Sequence, residues 1–430
     1  MDKPGLADLM IAPLILLERT KGWKLRGLAF LYLMIALTVG ALGWRALCLW
    51  RLPNAPEPFD LVKYGRVEVL DADNAMVAYR EIFAKFGDLN ARDYKVASEK
   101  AWAETDWPVA DPEARRWADD HRDALEAWLP ANDRPDSLFI QPEEVRINTS
   151  FDQVRTLVPY ARLALFEGSR LEQLGDLAGA WRMYRAALRA SRHAARHGSF
   201  AQRVTGMILN QTRKRIDPWI EQPGITAQLL RRALDDVEAC RAMTSPASEM
   251  VRAEYFWSRN AIGDMDRWRQ LSETGPYSGL HWYNQFAAGR WAYRFLRREP
   301  ERSARVLRLV TAGYLSQCDR PSSTRPKLLH QWLMIYDHDA RTPPSVRAIS
   351  PDALESWGRD SIVYELGPFQ PQIQGILDSE LRTFDRFTLK MAERAFEIER
   401  GRPPKTHGEL IGSYLKALPA GVEPSDLVNP

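Results

Sequence analysis

Residues 27–44 read GLAFLYLMIALTVGALGW, an uncharged stretch of 18 residues between Arg26 and Arg45. As a helix with 1.5 Å rise per residue it is about 27 Å long, close to the ~30 Å hydrocarbon core of a bilayer, and the apolar residues 46–50 extend it. Tryptophans stand near both ends, where membrane helices carry aromatic side chains. The stretch therefore predicts one transmembrane helix at residues 27–50 that contacts the lipid bilayer.

The charges around this helix indicate its orientation. Four basic residues precede it closely, namely Arg19, Lys21, Lys24 and Arg26. Because basic flanks stay on the cytoplasmic side, we expect residues 1–26 to be a cytoplasmic segment of an inner-membrane protein and the rest to be periplasmic. A cleaved signal peptide is the alternative, since small residues near positions 39–41 form an acceptable cleavage site.

The chain beyond the helix is expected to be helical. Residues 51–60, RLPNAPEPFD, contain three prolines and predict a stiff extended spacer. Residues 61–380 repeatedly place apolar side chains three and four positions apart, and few segments alternate as strands do. Asp71 or Asp73 is the expected cap of a helix to about Lys85, and Asp111 that of a helix to about Leu129. The fold class is therefore all-α: a single transmembrane helix followed by a helical extramembrane domain.

Overall charge argues against nucleic acid as a partner. The chain has 59 basic and 56 acidic residues, and residues 61–430 are almost neutral, with 52 basic and 51 acidic. Neutralising phosphates requires a clear basic excess. We therefore predict no nucleic-acid partner.

A segment at residues 161–197 resembles a single tetratricopeptide repeat. The matching positions are Gly168, Leu171, Leu174, Gly175, Asp176, Leu177, Ala180, Tyr184, Ala187 and Leu188. The resemblance implies two antiparallel helices that touch at a small residue and are joined by a Gly-Asp turn. Because one clear repeat is too few for a solenoid, it predicts a helical hairpin within a larger domain.

The C-terminal segment, residues 381–430, carries a second resemblance. Its helix is followed by Gly401-Arg402-Pro403-Pro404 and by Tyr414-Leu415-Lys416-Ala417-Leu418-Pro419. This Gly-Arg-x-Pro and Tyr-Leu pattern is similar to the motif after the long helix of type II secretion pseudopilins, whose N-terminal signature this chain lacks. The whole chain resembles membrane-anchored helical proteins of planctomycete-type bacteria, a resemblance that implies no activity.

One helix carries a row of arginines. Arg182, Arg185, Arg189, Arg192 and Arg196 are spaced three and four apart, so they share one helix face. This stripe is our candidate site for an acidic partner. A solvated face whose charges are balanced by neighbouring helices is the alternative.

Motifs for catalysis or for metal binding are weak. The sequence contains no G-x-S-x-G and no phosphate-binding glycine loop, so we predict no catalytic residue and no cofactor. His193 and His197 have a metal-ligand spacing without a third ligand, and residues 337–339, Asp-His-Asp, fit a helix end better than a cation site. Cys240 and Cys318 are either paired or free. Paired carboxylates, such as Asp119 with Asp120 and Asp235 with Asp236, are expected to be surface charges.

Two functions fit these patterns. The first is a non-enzymatic, single-pass protein whose helical body binds other proteins of the cell envelope. The second is an envelope hydrolase or glycan-binding protein that acts on peptidoglycan or polysaccharide. Its cleft would contain the clustered tryptophans at positions 102, 107, 117 and 128.

Overall fold

The apolar stretch forms helix α1 (Trp23–Arg51), which is 29 residues long. Its segment Arg26–Leu47 has a mean hydropathy of 1.9, and none of it is buried against the rest of the protein. Such a helix is long and apolar enough to cross a membrane, and an N-terminal signal sequence would meet the same criteria. The prediction of one apolar N-terminal helix is confirmed.

The computed structural model describes residues 22–51, 55–87, 89, 106–146, 149–195, 199–264, 300–320, 324, 328–330, 333–334, 371–420 and 422–424. Within these ranges the all-α prediction holds. The helices after α1 are α2 (Leu61–Gly65), α3 (Ala75–Phe86), α4 (Pro112–Asp120), α5 (Arg122–Ala131), α6 (Asp152–Gln173), α7 (Leu177–Ala195), α8 (Ser199–Ile220), α9 (Ala227–Ala242), α10 (Ala247–Gly263), α11 (Pro300–Leu315) and α12 (Pro371–Arg400).

Shorter elements complete the described chain. Two strands, β1 (Leu328–His330) and β2 (Leu333–Met334), pair antiparallel. Single 3₁₀ turns lie at Trp107–Val109, Pro142–Glu144 and His407–Leu410. None of them interrupts the helical packing.

The body has two hydrophobic clusters. The larger one contains the buried faces of α3 to α9 together with α12 and the C-terminal segment. The smaller one contains α10, α11 and the chain just after α1. Both follow the three-and-four spacing of apolar residues, as on α9 at Leu230, Ala233, Leu234 and Val237.

Helices α6 and α7 form the predicted hairpin. Gly168 lies against the Tyr184 ring so closely that a Cβ at Gly168 would be 2.3 Å from Cε1 of Tyr184. Gly175 turns the chain with a φ of +77°, a conformation that favours glycine. The Asp176 carboxylate then accepts a hydrogen bond from the Gly179 N–H at 2.8 Å and caps α7. The small residue at the helix contact and the Gly-Asp turn are where the sequence placed them.

The start of α3 differs in detail from the expectation. Helix α3 is capped by Asn74 and not by Asp71 or Asp73. The Asn74 side chain accepts from the N–H groups of Met76 and Leu138 and donates to the Leu138 carbonyl. A carboxylate could not donate that last hydrogen bond, which explains why the amide has this position.

The helix after Asp111 is interrupted. Asp111 caps α4 as predicted, by accepting from the Glu113 N–H at 2.9 Å. However, α4 ends at Asp120 and α5 begins at Arg122. The Nδ1 atom of His121 lies 2.7 Å from the Trp117 carbonyl, which would accept from the His121 backbone in a continuous helix. The ring therefore competes with the backbone and separates the two helices.

Residues 55–60 are not a free spacer. Ala55 is buried, and the Phe59 ring packs edge-on against Tyr255 and Phe256 at 5.2 and 5.6 Å between ring centroids. Proline content correctly indicated irregular backbone, but it could not show that Phe59 binds aromatic residues almost 200 positions away. The body therefore begins within four residues of the end of α1.

The C-terminal motif folds back on α12. This helix begins at Pro371, ten residues before the predicted boundary at 381, and ends where Gly401 adopts a φ of +68°. The Tyr414 hydroxyl donates to Glu399 at 2.6 Å, and Arg231 on α9 binds the same carboxylate at 2.8 Å. Leu410 and Leu415 are buried beside them. The Gly-Arg-x-Pro and Tyr-Leu positions thus form a cap that joins the end of α12 to α9.

Candidate functional site

The arginine stripe on α7 mostly makes contacts inside the protein. Arg185 binds the carboxylates of Asp133 and Asp236, each at 2.9 Å. Arg189 donates to three backbone carbonyls at the end of α5, those of Asn132, Asp133 and Arg134. It thereby satisfies carbonyls that have no partner within their own helix. Both arginines therefore hold α7 to its neighbours.

Arg192 is fully buried. Its Nη1 atom lies 3.1 Å from Oε2 of Glu380 on α12, and its guanidinium carbon lies 5.1 Å from the centre of the Phe384 ring. Such a side chain has no surface to offer a partner. Arg182 is exposed, and Arg196 lies outside the described residues. Partner binding by the stripe stays a prediction, and Arg182 is its one fully exposed residue among those described.

His193 is a core residue in this structure. Its Nε2 atom lies 2.9 Å from the Arg134 carbonyl, which can only accept, so Nε2 carries the proton. The Tyr79 hydroxyl lies 2.8 Å from both Nδ1 of His193 and Oδ1 of Asn132, and its single proton is shared between them. Burial is the main cause that lowers the pKa of His193 to about 3. His197, its proposed co-ligand, lies outside the described residues.

A buried neutral histidine makes stability depend on pH. The unfolded chain protonates His193 near pH 6.5, whereas the folded protein resists protonation down to about pH 3. The unfolded state therefore binds more protons in this window, so stability is lost as the pH falls. We expect His193 to account for a loss of about 2 kcal/mol between about pH 7.5 and about pH 5.

Urea unfolding of the wild type and of His193→Gln at these two pH values checks this expectation. Glutamine does not titrate, so the variant should lack that part of the pH dependence, although it should be less stable at both values. Equal pH dependence in the two proteins would show that folding does not lower the pKa of His193.

The tryptophans and paired carboxylates do not form a cleft. Trp117 and Trp128 are fully buried, and Trp107 packs on Phe166 with 4.9 Å between ring centroids. Asp236 accepts from the Trp181 indole at 2.8 Å, which makes it a structural residue and not a plain surface charge. Trp102 lies outside the described residues. The tryptophans placed here therefore belong to the core and not to a glycan-binding surface.

The remaining sequence candidates have structural roles or were not placed. Cys240 and Cys318 are buried, one in each hydrophobic cluster, and are not joined to each other by a disulfide. Residues 337–339 lie outside the described ranges. Within those ranges, no group of three or more His, Cys, Asp and Glu side chains could hold a metal ion.

A buried ionic cluster holds α6, α7 and α8 together. Glu172 accepts from Arg215 at 3.0 Å, from Gln222 at 3.2 Å and from the Tyr184 hydroxyl. Burial raises the pKa of Glu172, and the charge of Arg215 opposes this effect. Arg215 also lies 3.6 Å from Asp106. Because Arg215, Gln222 and Tyr184 already bind its oxygen atoms, the Glu172 carboxylate stabilises the hairpin and is not available to a substrate.

A groove of about 510 Å³ lies between α8 and α12. The residues that line it are about one helical turn apart on each helix, such as Gly206, Asn210 and Arg213 on α8. A Cβ at Gly375 on α12 would meet nothing within 4 Å, and a Cβ at Gly206 would lie 3.9 Å from Cγ2 of Ile376. The other α12 side chains of the wall include Ser379, Glu380, Arg382, Thr383 and Arg386.

The groove is positively charged. Three arginines line it, Arg213, Arg382 and Arg386, against one carboxylate, that of Glu380. Glu380 is buried at the base and neutralised by Arg192, while Arg386 is bound to Asp217 at 2.9 Å. Arg213 and Arg382 therefore supply the excess positive charge.

This arrangement is suited to binding an anion. Arginine presents a planar set of donors that matches a carboxylate or phosphate, and the amide of Asn210 and the hydroxyls of Ser379 and Thr383 add polar contacts. The lining residues include no histidine, cysteine or aromatic ring. The groove can thus hold a charged chain, and its described lining residues include no nucleophile beside a base.

Sequence reasoning missed this site. Arg213 lies in a segment from 177 to 216 that contains nine basic and no acidic residues. The sequence therefore indicated the basic character of one side of the groove. The arginines on the other side of the groove, Arg382 and Arg386, lie about 170 positions further along the chain.

Comparison of the chain with protein-family models, with curated proteins and with solved structures finds no match.

Proposed function

We propose that this chain is a single-pass inner-membrane protein that binds an acidic segment of another envelope protein in the groove between α8 and α12. In this proposal α1 crosses the bilayer, residues 1–26 are cytoplasmic and the helical body is periplasmic. The anchor rests on the length and apolarity of α1 and the orientation on the basic residues before it. The binding role rests on the arginine-lined groove.

The charge of the groove carries this proposal. Carboxylates in a flexible acidic segment can pair with Arg213 and Arg382 without displacing a salt bridge among the described residues, whereas the carboxylates of Asp217 and Glu380 already have basic partners. Ion pairs with arginines as exposed as these contribute about 0.2–1 kcal/mol each. The groove favours binding over catalysis because its lining offers charge complementarity and no reactive pair.

Charge reversal in the groove tests the proposal. We expect the double variant Arg213→Glu with Arg382→Glu to capture about one tenth of the partner that the wild type captures, or less. Charge repulsion then replaces the two favourable pairs between these arginines and the carboxylates of the partner. Tagged full-length protein is captured from source membranes in mild detergent, and the bound material is quantified by mass spectrometry.

A matched control separates this effect from general charge. The variant Arg182→Glu with Arg232→Glu makes the same charge change at two exposed positions on α7 and α9. It should retain the partner. Equal losses in both double variants would contradict a role for the groove, and loss of an anionic polymer instead of an acidic protein would reject the proposed partner.

A further inference from the structure

The connection between α1 and the body is very short. Helix α1 ends at Arg51, and Ala55 is already buried in the smaller hydrophobic cluster. Four residue steps span at most about 14 Å when fully extended. The body therefore lies next to the end of the anchor helix, whatever the angle between them.

This attachment is fixed by specific contacts. The Glu57 carboxylate accepts from the Tyr255 hydroxyl on α10, and it lies 3.3 Å from Arg308 on α11 and 3.9 Å from Arg259. Together with the packing of Phe59 on the aromatic rings of α10, these contacts tie the chain after the anchor to two helices of the body. The body cannot move far from the bilayer that α1 crosses.

The next ten residues expose apolar side chains. Outside α1, Val62 and Leu70 are the two most exposed large apolar side chains in the described part of the chain, at 86% and 73%, and Val67 is also exposed. Lys63 and Arg66 are exposed between them. Exposed apolar side chains that cluster beside a membrane anchor are typical of a surface that contacts lipid.

The segment is held rigidly with these side chains outward. The backbone N–H of Val67 donates to Oε1 of Gln141 at 2.9 Å, and Nε2 of Gln141 donates to the Val67 carbonyl at 3.2 Å. Arg66 binds Glu143 at 2.6 Å, and Gly65 is buried between Glu143 and Phe256. The exposure of Val62 and Leu70 therefore belongs to a fixed surface and not to a loose tail.

We propose that residues 61–70 lie in the headgroup region of the bilayer that α1 crosses, with Val62 and Leu70 inserted among the lipids. This inference rests on the membrane anchor of the proposed function. Lys63 and Arg66 would lie level with the lipid phosphates. Because Glu143 already pairs with Arg66, and Asp60 and Glu68 add negative charge to the same segment, the contact does not depend on anionic lipid and should persist when anionic lipid is replaced by zwitterionic lipid.

Spin labels on the full-length protein in lipid nanodiscs test the proposal. In a Cys48→Ser background, single cysteines replace Val62, Leu70, Leu37 in α1 and Leu174. Leu174 is the control, because it is 67% exposed but lies at the turn of the α6–α7 hairpin. Cys240 and Cys318 are buried, and the Cys48→Ser parent verifies that they stay unlabelled.

The readout is the accessibility of each label to oxygen, which partitions into lipid, relative to a water-soluble nickel complex. We expect the oxygen-to-nickel ratio at positions 62 and 70 to be several times that at position 174, in anionic and in zwitterionic nanodiscs. Labels at 62 and 70 that behave as the control, while the label at 37 is in lipid, would overturn this inference alone. A label at 37 that is in water would overturn the membrane anchor as well.

Discussion

Replacing Arg192 with alanine should lower the free energy of unfolding by about 3–5 kcal/mol, the range for removing one partner of a buried ion pair. The substitution leaves the Glu380 carboxylate in a buried position without the cation that lies 3.1 Å away. It also removes the guanidinium that packs on Phe384 and donates to Thr244 at 3.3 Å. Urea unfolding of the full-length protein in detergent, followed by helical circular dichroism, measures the loss.

Two further variants show where the loss comes from. Arg182→Ala, on the exposed part of the same helix, should change stability by less than about 0.5 kcal/mol. Arg192→Met combined with Glu380→Leu should recover most of the loss, because an apolar pair needs no charge compensation. A loss below about 1 kcal/mol for Arg192→Ala would mean that Arg192 is hydrated and free to bind a partner, as the sequence alone allowed.

Replacing Gly168 with alanine should destabilise the protein by about 3 kcal/mol, near the upper end of the usual range for overpacking. Alanine normally favours a helix, so a loss at this position has a steric cause. The new Cβ would lie 2.3 Å from the Tyr184 ring, which is fully buried and hydrogen-bonded to Glu172. The ring has little room to withdraw, and helices α6 and α7 must separate.

Gly263→Ala is the matched control for this steric effect. Gly263 is the last residue of α10, and a Cβ there would meet nothing within 4 Å. The control should be neutral or slightly stabilising in the same urea unfolding experiment. If Gly168→Ala behaved like the control, the close contact between the two helices would be incorrect.

The fold class and the hairpin could be predicted because their signals are local. A long uncharged run specifies α1, apolar side chains three and four apart specify the other helices, and Gly168, Gly175 and Tyr184 specify the hairpin within 17 positions of one another. Each of these signals reflects the geometry of a single helix or a single turn. No knowledge of distant packing was needed.

The role of the arginine stripe could not be predicted in this way. Spacing correctly placed Arg185, Arg189 and Arg192 on one face of α7, but a helical period does not state what covers that face. Its partners are Asp133 and the carbonyls at the end of α5, more than 50 positions away, and Glu380, which is 188 positions from Arg192. A charged residue of such a row, here Arg192, can therefore be fully buried when another element supplies its counter-charge.

The candidate site was missed for the same reason. Arg213 and Arg382 become neighbours across the groove only because α12 returns to pack on α8. Gly206 and Gly375, which line the groove, have no distinguishing local pattern. Sequence spacing can identify one wall of such a site, whereas the opposite wall depends on the tertiary fold.

Photo-crosslinking from inside the groove tests the central claim most directly. A photoreactive amino acid at Asn210, which is exposed between the two helices, is activated in intact source membranes, and the crosslinked peptide is sequenced by mass spectrometry. We predict a product with an acidic segment of one envelope protein that disappears when Arg213 and Arg382 are both changed to glutamate. The same product at an undiminished level in that double variant, or crosslinks no more specific than those from Arg182, would contradict the proposed binding function.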